Sequence, residues 1–163
     1  MIASIVLAVV AMAAPLLNQQ GGSRLAEYQA AARTGDSSAQ NELGIILAEG
    51  QGINANNRMA VYWFRRSATG GNGYGACNLG LHYACGGGIR KDRVLALKWI
   101  FIGHSLDSLH CHPEDFLPSL RLRRGQIRMA WAAAVVWLRA HPNLTNDFGD
   151  HPWFRVGSQR IRR

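Results

Sequence analysis

Residues 104–115 hold a cluster of side chains that could bind a metal ion or act as nucleophiles. The candidates are His104, His110, Cys111, His112, Glu114 and Asp115. Zinc needs three or four such ligands that converge tetrahedrally, whereas adjacent residues usually point apart. The spacing matches neither a CxxC pair nor an HExxH helix, and a chain with 3 Cys and 6 His offers chance Cys–His pairs. We interpret the segment as a loop and a helix start, and we predict no catalytic residue, no metal and no cofactor.

A glycine-rich segment resembles a nucleotide-binding loop. Residues 71–76 read GNGYGA, which fits the loose pattern G-x-G-x-x-A. That pattern holds a pyrophosphate only where a strand of a parallel sheet leads into a helix, and here the preceding residues have helical periodicity. We therefore predict no dinucleotide site.

The three cysteines allow at most one internal disulfide. Cys77 and Cys85 lie on one predicted helix with a rise of about 12 Å between them, whereas a disulfide needs Cα atoms about 4.4 to 6.8 Å apart. Any bridge therefore involves Cys111, and we favour buried or free thiols that act as small hydrophobic groups.

The sequence repeats itself with a period of 36 residues, the distance from Leu43 to Leu79. The recurring pairs are Leu43 and Leu79, Gly44 and Gly80, Gly50 and Gly86, Gly52 and Gly88, Ile53 and Ile89, Ala60 and Ala96, and Trp63 and Trp99. A period in this range predicts a solenoid, in which stacked helical hairpins bury one continuous core.

The recurring glycines have two different predicted roles. Gly44 and Gly80 lie beside an apolar stripe, where the lack of a side chain lets a second helix approach closely. Gly50 and Gly86 end the first helix of each hairpin, because glycine adopts the left-handed conformation of a helix stop without strain.

The second helix of each hairpin also has matching signals. Asn56 or Asn57 is the predicted N-cap in the first unit, and Asp92 is its counterpart in the second. Trp63 and Trp99 follow at helical spacing, and aromatic residues at such positions are usually core residues.

The strings that carry the repeat are AQNELGIILAEGQGI with AVYWFRRSATGG, and ACNLGLHYACGGGI with ALKWIFIGHS. They resemble the Sel1-like repeats, helical-hairpin relatives of the tetratricopeptide repeats. The resemblance implies an all-α fold, a short right-handed α-solenoid of helix-turn-helix repeats. It covers 24–105, with a half repeat at 24–35, one repeat at 37–70 and a second at 73–105. Some cysteine-rich secreted Sel1-like proteins act on lactams, but they pair cysteines within every repeat, so we do not transfer that activity.

The part of the chain after the repeats has a different pattern. Residues 112–141 begin with Pro and two acids, continue into an apolar stripe, and are predicted as one C-terminal capping helix. Residues 142–163 are predicted as a basic, flexible tail. The net charge of the chain is +8, and Arg121, Arg124 and Arg128 form a predicted basic patch.

The first 17 residues are apolar apart from Ser4 and indicate a signal peptide. An uncleaved membrane anchor is the alternative, because about 17 residues is the short limit for spanning a bilayer. We therefore expect a secreted or periplasmic protein, or a membrane-anchored one if residues 1–17 are not cleaved.

Repeat scaffolds of this kind are usually recognition surfaces, so we predict a non-catalytic scaffold or adaptor whose partner is another protein. The predicted binding face consists of Ser38, Glu42, Ile45, Glu49, Tyr74, Asn78, Leu81 and Cys85. The first alternative is binding of nucleic acid or anionic lipid through the arginine-rich end, with nucleic acid disfavoured. The second alternative is a secreted enzyme that depends on His110, Cys111 or His112.

Overall fold

The computed structural model describes residues 24–106 and 111–144, and all regular structure within these ranges is helical. Helix α1 covers 24–34. The following helices are α2 (Ser37–Glu49), α3 (Asn57–Thr69), α4 (Gly73–Cys85), α5 (Arg93–Leu106), α6 (Pro113–Leu120) and α7 (Arg124–Arg139), and a 3-10 turn covers Pro142–Leu144. The predicted all-α solenoid is confirmed.

Two helical hairpins, α2–α3 and α4–α5, form the centre of the molecule. Gly50 ends α2 with φ 72° and Gly86 ends α4 with φ 86°, and both are left-handed. The N–H of Gly50 donates to the carbonyl of Ile46, and that of Gly86 donates to His82. Both predicted helix stops are confirmed.

Side-chain caps begin the second helix of each hairpin. The Asn56 carboxamide oxygen accepts from the N–H of Met59 at 3.1 Å. The Asp92 carboxylate accepts from the N–H groups of Val94 and Leu95, both at 2.9 Å. Asn56, rather than Asn57, is therefore the cap of α3, and the prediction for Asp92 is confirmed.

Gly44 and Gly80 allow the two helices of each hairpin to touch. A Cβ at Gly44 would lie 2.5 Å from the ring of Phe64, and one at Gly80 would lie 2.9 Å from the carbonyl oxygen of Ala96. Such distances are far below ordinary contact. The role predicted for these two glycines is confirmed.

One hydrophobic core runs from the hairpins into the C-terminal helices. Its fully buried large side chains include Phe64, Leu79, Leu97, Ile100, Ile102 and Leu138. Trp99 is 7% exposed, and its ring lies 5.5 Å from that of Trp137 in α7. Trp63 is half-buried against a smaller cluster formed by Ala32, Ala39 and Leu43. Both tryptophans therefore pack against apolar groups, as expected.

The segment predicted as one capping helix consists of two. Helix α6 contains Pro118, which has no N–H to donate. It ends at Arg121, whose φ of 47° is left-handed and whose N–H donates to the carbonyl of Leu117. Helix α7 then begins, with the Gln126 side chain accepting from the N–H of Arg123 at 3.0 Å. The expectation of one continuous helix over 112–141 was wrong in this respect.

A disulfide joins Cys77 in α4 to Cys111, with Cα atoms 6.2 Å apart. The preference for free thiols was therefore wrong for these two residues, because the chain after α5 returns to α4. The exclusion of a Cys77–Cys85 pair is confirmed, and Cys85 is a free, exposed cysteine.

The leader prediction for 1–17 lies outside the described residues, and so does most of the predicted tail. Within the described part, the tail contributes only the 3-10 turn Pro142–Leu144. None of the helices over 24–106 and 111–144 has the length and apolar character needed to span a bilayer.

Candidate functional site

The first helices of the two hairpins, α2 and α4, lie side by side, and a polar contact joins them. The side-chain N–H of Asn78 donates to the side-chain oxygen of Asn41 at 2.9 Å. Asn41 is only 5% exposed. The Asn41 side chain also donates to Glu42 at 3.2 Å. Because an unpaired amide would be costly at this depth, the pair fixes the relative position of the two helices.

Further hydrogen bonds join α2 to the helices on either side of it in the chain. The buried Gln40 side chain donates to the carbonyl of Ala32 at 3.0 Å, which ties α2 to α1. The fully buried Ser67 hydroxyl donates to the carbonyl of Ser37 at 2.6 Å, which ties α3 to the start of α2. These bonds fix the position of α2 relative to α1 and α3.

The structure distributes the predicted face residues over two levels of exposure. The exposed ones are Ser38, Glu49, Tyr74, Leu81 and Cys85, and the half-buried ones are Glu42, Ile45 and Asn78. Tyr74 is 43% exposed and Leu81 is 41% exposed, both on α4. Ile45 packs against the main core instead of facing solvent. We name the surface of α2 and α4 that these eight residues form the α2–α4 face.

Sequence reasoning missed the buried Asn41, which lies beneath this face. Asn41 follows Ser38 by three residues and precedes Ile45 by four, so helical periodicity placed it on the same side. Its repeat counterpart is Cys77, which is apolar in character, and the position therefore shows no recurring polar type. The helix spacing was the available signal.

The edge of the α2–α4 face near α1 carries opposite charges. The side chain of Tyr28 raises the pKa of Arg24 above its ordinary value, and the carboxylates of Glu42 and Glu27 act in the same direction. Arg24 is fully exposed. These interactions are solvent-screened, so they affect the charge pattern of the edge more than its stability.

The predicted basic patch is exposed but is divided between two elements. Arg121 lies in the turn after α6, whereas Arg124 and Arg128 lie one turn apart on α7. All three are exposed. Only Arg124 and Arg128 share a helix face by periodicity.

The histidine and cysteine cluster does not form a metal site within the described residues. Cys111 is bonded to Cys77, so it provides no thiolate. The rings of His104 and His112 lie 5.6 Å apart, and His112 Nδ1 lies 3.8 Å from Glu114 Oε1. His110 lies outside the described ranges. Over 24–106 and 111–144, no three His, Cys, Asp or Glu side chains lie where they could hold a metal ion.

The glycine-rich segment 71–76 begins α4 and follows the helix α3. Asn72 is the N-cap and accepts from the N–H of Gly75 at 2.9 Å. A Cβ at Gly75 would collide with the side chain of Ser67 in α3. Gly75 therefore serves helix packing, and the segment follows a helix, as the sequence predicted.

Sequence reasoning also missed an aromatic and cationic group on α3. The guanidinium of Arg66 lies 5.9 Å from the ring centre of Tyr62 and 5.7 Å from that of Trp63. Arg66 also donates to the Tyr62 hydroxyl at 3.1 Å. Tyr62 is 46% exposed. The i, i+4 spacing of Tyr62 and Arg66 was the available signal.

Comparison with solved structures places the fold among known proteins. A protective antigen of uropathogenic Escherichia coli strains, which displays an SLR fold, is 22% identical and superposes with a TM-score of 0.66. The match covers 78% of this chain and 29% of the antigen, so the chain spans less than a third of that protein. A Sel1 repeat protein from Oxalobacter formigenes is 25% identical over 74% of this chain and 96% of that protein, with a TM-score of 0.47.

No curated protein matches the chain. The family model of the Sel1 repeat matches residues 37–72 and 73–100. The first match contains the hairpin α2–α3, and the second contains α4 and the first half of α5. The chain therefore contains two Sel1 repeats, preceded by the helix α1 and followed by the C-terminal pair of helices α6 and α7.

Proposed function

We propose that this protein is a non-catalytic scaffold or adaptor that binds another protein through the α2–α4 face. Sel1 repeats generally mediate protein–protein interaction, and this chain carries two of them. Within the described residues we find no arrangement of side chains that supports a reaction mechanism. The proposal therefore concerns recognition, and it leaves the identity of the partner to experiment.

The observation that carries the proposal is the combination of rigidity and exposed apolar groups on α4. The Asn41–Asn78 bond fixes α4 against α2. Tyr74 and Leu81 nevertheless remain 43% and 41% exposed. A preformed surface loses little conformational entropy when it binds, and tyrosine is enriched among the residues that dominate binding energy.

We also propose that the protein acts outside the cytoplasm, in the cell envelope or beyond it. Two features support this. Residues 1–17 have the apolar character of a signal peptide or anchor. The Cys77–Cys111 disulfide is of a kind that persists in oxidising compartments. Fractionation of cells that express the full chain tests this part, and recovery in the cytoplasm in reduced form would contradict it.

The test of the scaffold proposal is affinity capture of the full chain from its own cell envelope, with two matched variants. Leu81→Glu places a charge in the α2–α4 face. Met59→Glu places the same charge on α3, at a residue with the same exposed fraction of 41%. Circular dichroism and thermal unfolding first establish that both variants fold.

We expect one defined protein to be recovered with the wild type and with Met59→Glu, and to be lost with Leu81→Glu. The protein should stay bound at high salt, since the central contacts are apolar. Equal recovery with Leu81→Glu would show that the α2–α4 face does not bind. Recovery of nucleic acid or lipid alone, released as salt rises, would favour the arginine-rich alternative.

A further inference from the structure

A second surface, on the last helix of the molecule, combines apolar exposure with positive charge. On α7, Val136 is 69% exposed and Met129 is 64% exposed, the two largest values among the exposed large hydrophobic side chains of the described residues. Ala132, Ala133 and the C-cap residue Ala140 are exposed as well. Helical periodicity places these residues on one side of α7, away from the buried Ala130, Ala134 and Leu138.

The apolar side of α7 continues into a groove against α5. The residues that line the groove are Lys98, Ala132, Ala133, Val136, Trp137 and Ala140, and its volume is about 510 Å³. Trp137 is half-buried, and its ring packs on that of Trp99 at 5.5 Å. We name this feature the α5–α7 groove. Except for Lys98, every residue that lines it has an apolar side chain.

Cations lie along both sides of the α5–α7 groove. On one side, Lys98 Nζ lies 5.0 Å from the ring centre of Trp99. No carboxylate of the described residues lies within ion-pair distance of it. On the other side, α7 carries Arg124, Arg128 and Arg139 and no acidic residue. All three arginines are exposed.

We propose that the α5–α7 groove binds an acidic amphipathic helix of another protein. The apolar side of that helix would cover Val136, Ala133 and Trp137. Its carboxylates would pair with Lys98 on one side and with Arg139 and Arg128 on the other. This is the helix-in-groove mode of recognition, in which a few apolar anchors give affinity and flanking charges set orientation.

The length of α7 fits this occupant. Helix α7 has 16 residues, which corresponds to a length of about 24 Å. A partner helix of similar length could therefore lie along all of it. The exposed alanines let the partner backbone approach closely, while Val136 and Met129 provide larger apolar contacts.

The charges disfavour a second copy of this chain as occupant. Pairing α7 with another α7 would bring two sets of arginines together, and neither helix offers a carboxylate. The sequence after Leu144 has the same sign, with four arginines at 155, 160, 162 and 163 against Asp147 and Asp150. An acidic partner is the occupant whose charge is complementary to the groove.

The exposed side chains of α7 disfavour an anionic lipid surface. Lipid binding by an interfacial helix needs large apolar side chains that project into the bilayer. Two of the four exposed apolar side chains on α7 are alanines, so only Val136 and Met129 could project into a bilayer. Vesicle binding is nevertheless included in the test.

The test is a selection from a displayed library of random 16-residue peptides against the full chain. Enriched peptides are synthesised, and their dissociation constants are measured by fluorescence anisotropy. The variants are Val136→Asp in the groove, Lys98→Glu at its side, and Leu81→Asp on the α2–α4 face as the matched control. Far-UV circular dichroism and thermal unfolding establish that each variant is folded.

We expect the enriched peptides to carry acids together with apolar residues at i, i+3 or i+4 spacing. Val136→Asp and Lys98→Glu should each weaken binding about tenfold or more, and Leu81→Asp should leave it unchanged. Lys98→Glu should regain affinity for a peptide whose facing Glu is replaced by Lys. The control Leu81→Asp also separates the two surfaces. A negative result for the α2–α4 face would leave the result for the α5–α7 groove unaffected, and the reverse also holds.

Several results would overturn the proposal. Enriched peptides without an acidic bias, or with affinity unchanged by Val136→Asp, would show that the groove is not the site. Sedimentation of the full chain as a dimer that Val136→Asp dissociates would assign the groove to a second copy. Val136-dependent binding to vesicles of phosphatidylcholine and phosphatidylglycerol, without peptide binding, would assign it to lipid.

Discussion

Cys111, immediately before the C-terminal helices, is bonded to Cys77 in the first helix of the second repeat, with a Cα–Cα distance of 6.2 Å. Cys111 is 1% exposed and belongs to the main core. The bond spans 34 residues of sequence. It therefore closes a loop that contains α5 and holds the start of α6 against α4, a connection that has no counterpart in the first repeat.

Removal of this disulfide should destabilise the protein. For a loop of this length, the entropy lost by the unfolded chain corresponds to roughly 3 to 4 kcal/mol. The variant Cys77→Ala/Cys111→Ala should therefore have a lower urea midpoint than the wild type, and alanine avoids burying new polar groups. Equal midpoints for the two proteins would show that the bond does not constrain the unfolded state.

Cys85 provides the control for the disulfide prediction. It is exposed and unpaired, so Cys85→Ser should leave the urea midpoint unchanged. A thiol reagent should modify one cysteine in the folded, oxidised protein, and all 3 cysteines of the chain after reduction and denaturation. Modification of all 3 in the folded, oxidised protein would contradict the pairing.

Gly80→Ala should destabilise the second hairpin although alanine favours helices. The new Cβ would lie 2.9 Å from both the carbonyl oxygen of Ala96 and a side-chain carbon of Ile100. The carbonyl belongs to the helix backbone and cannot move without shifting α5. We expect a loss of about 1 to 3 kcal/mol in the free energy of unfolding, measured by urea denaturation.

Gly125→Ala is the matched control for that substitution. Gly125 also lies in a helix, but nothing is within 4 Å of its Cβ position. The same change should therefore leave stability unchanged or raise it by up to about 1 kcal/mol. If both variants gained stability, the close approach of α4 and α5 at Gly80 would not matter.

The repeat itself made most of the fold predictable. Leu43-Gly44 and Leu79-Gly80 recur because both hairpins have the same packing. In each, the second helix approaches the first closely at a glycine beside an apolar stripe. The helix stops at Gly50 and Gly86 depend on local backbone conformation, which the sequence determines within a few residues. These features needed no knowledge of distant contacts.

The features that sequence reasoning missed depend on how distant segments meet. The Cys77–Cys111 bond requires the chain after α5 to return to α4, and no local pattern encodes that return. The Asn41–Asn78 pair joins two repeats at positions that do not recur. The division of the C-terminal segment comes from the left-handed conformation of Arg121 between α6 and α7, which the apolar stripe of α7 does not indicate.

Asn78→Ala should lower the free energy of unfolding by more than the loss of one exposed hydrogen bond would. The change removes the donor at 2.9 Å from Asn41 Oδ1 and leaves that oxygen at a residue only 5% exposed. An unsatisfied buried polar group costs about 1 to 3 kcal/mol. Asn57→Ala, at an exposed residue, should change the free energy of unfolding much less.

A double-mutant cycle tests the Asn41–Asn78 prediction further. The double variant Asn41→Leu/Asn78→Leu removes both amides. Its loss of unfolding free energy should therefore be smaller than the sum of the losses for Asn41→Leu and Asn78→Leu. Additive costs would mean that the two side chains do not interact in solution.

Lys98 determines a pH dependence of stability at high pH. Burial lowers the pKa of its ammonium in the folded protein below the ordinary value of 10.5. At a pH between the lowered pKa of the folded protein and 10.5, the unfolded chain therefore binds more protons than the folded one. Stability should therefore rise with pH across that window. Lys98→Met should be the more stable protein at neutral pH, and the difference should narrow as the pH approaches 10.5. Urea denaturation of both proteins from pH 7 to 11 measures this difference.

The contact between Lys98 and Trp99 acts in the opposite direction. A cation 5.0 Å from the ring centre is stabilised by the ring, which favours the charged ammonium. Burial is the cause that lowers the pKa, so we expect desolvation to outweigh the ring. If the advantage of Lys98→Met instead grew with pH, the ring contact would dominate. The ammonium would then already be stabilised in the free protein, and a carboxylate that binds beside it would gain less from the pairing.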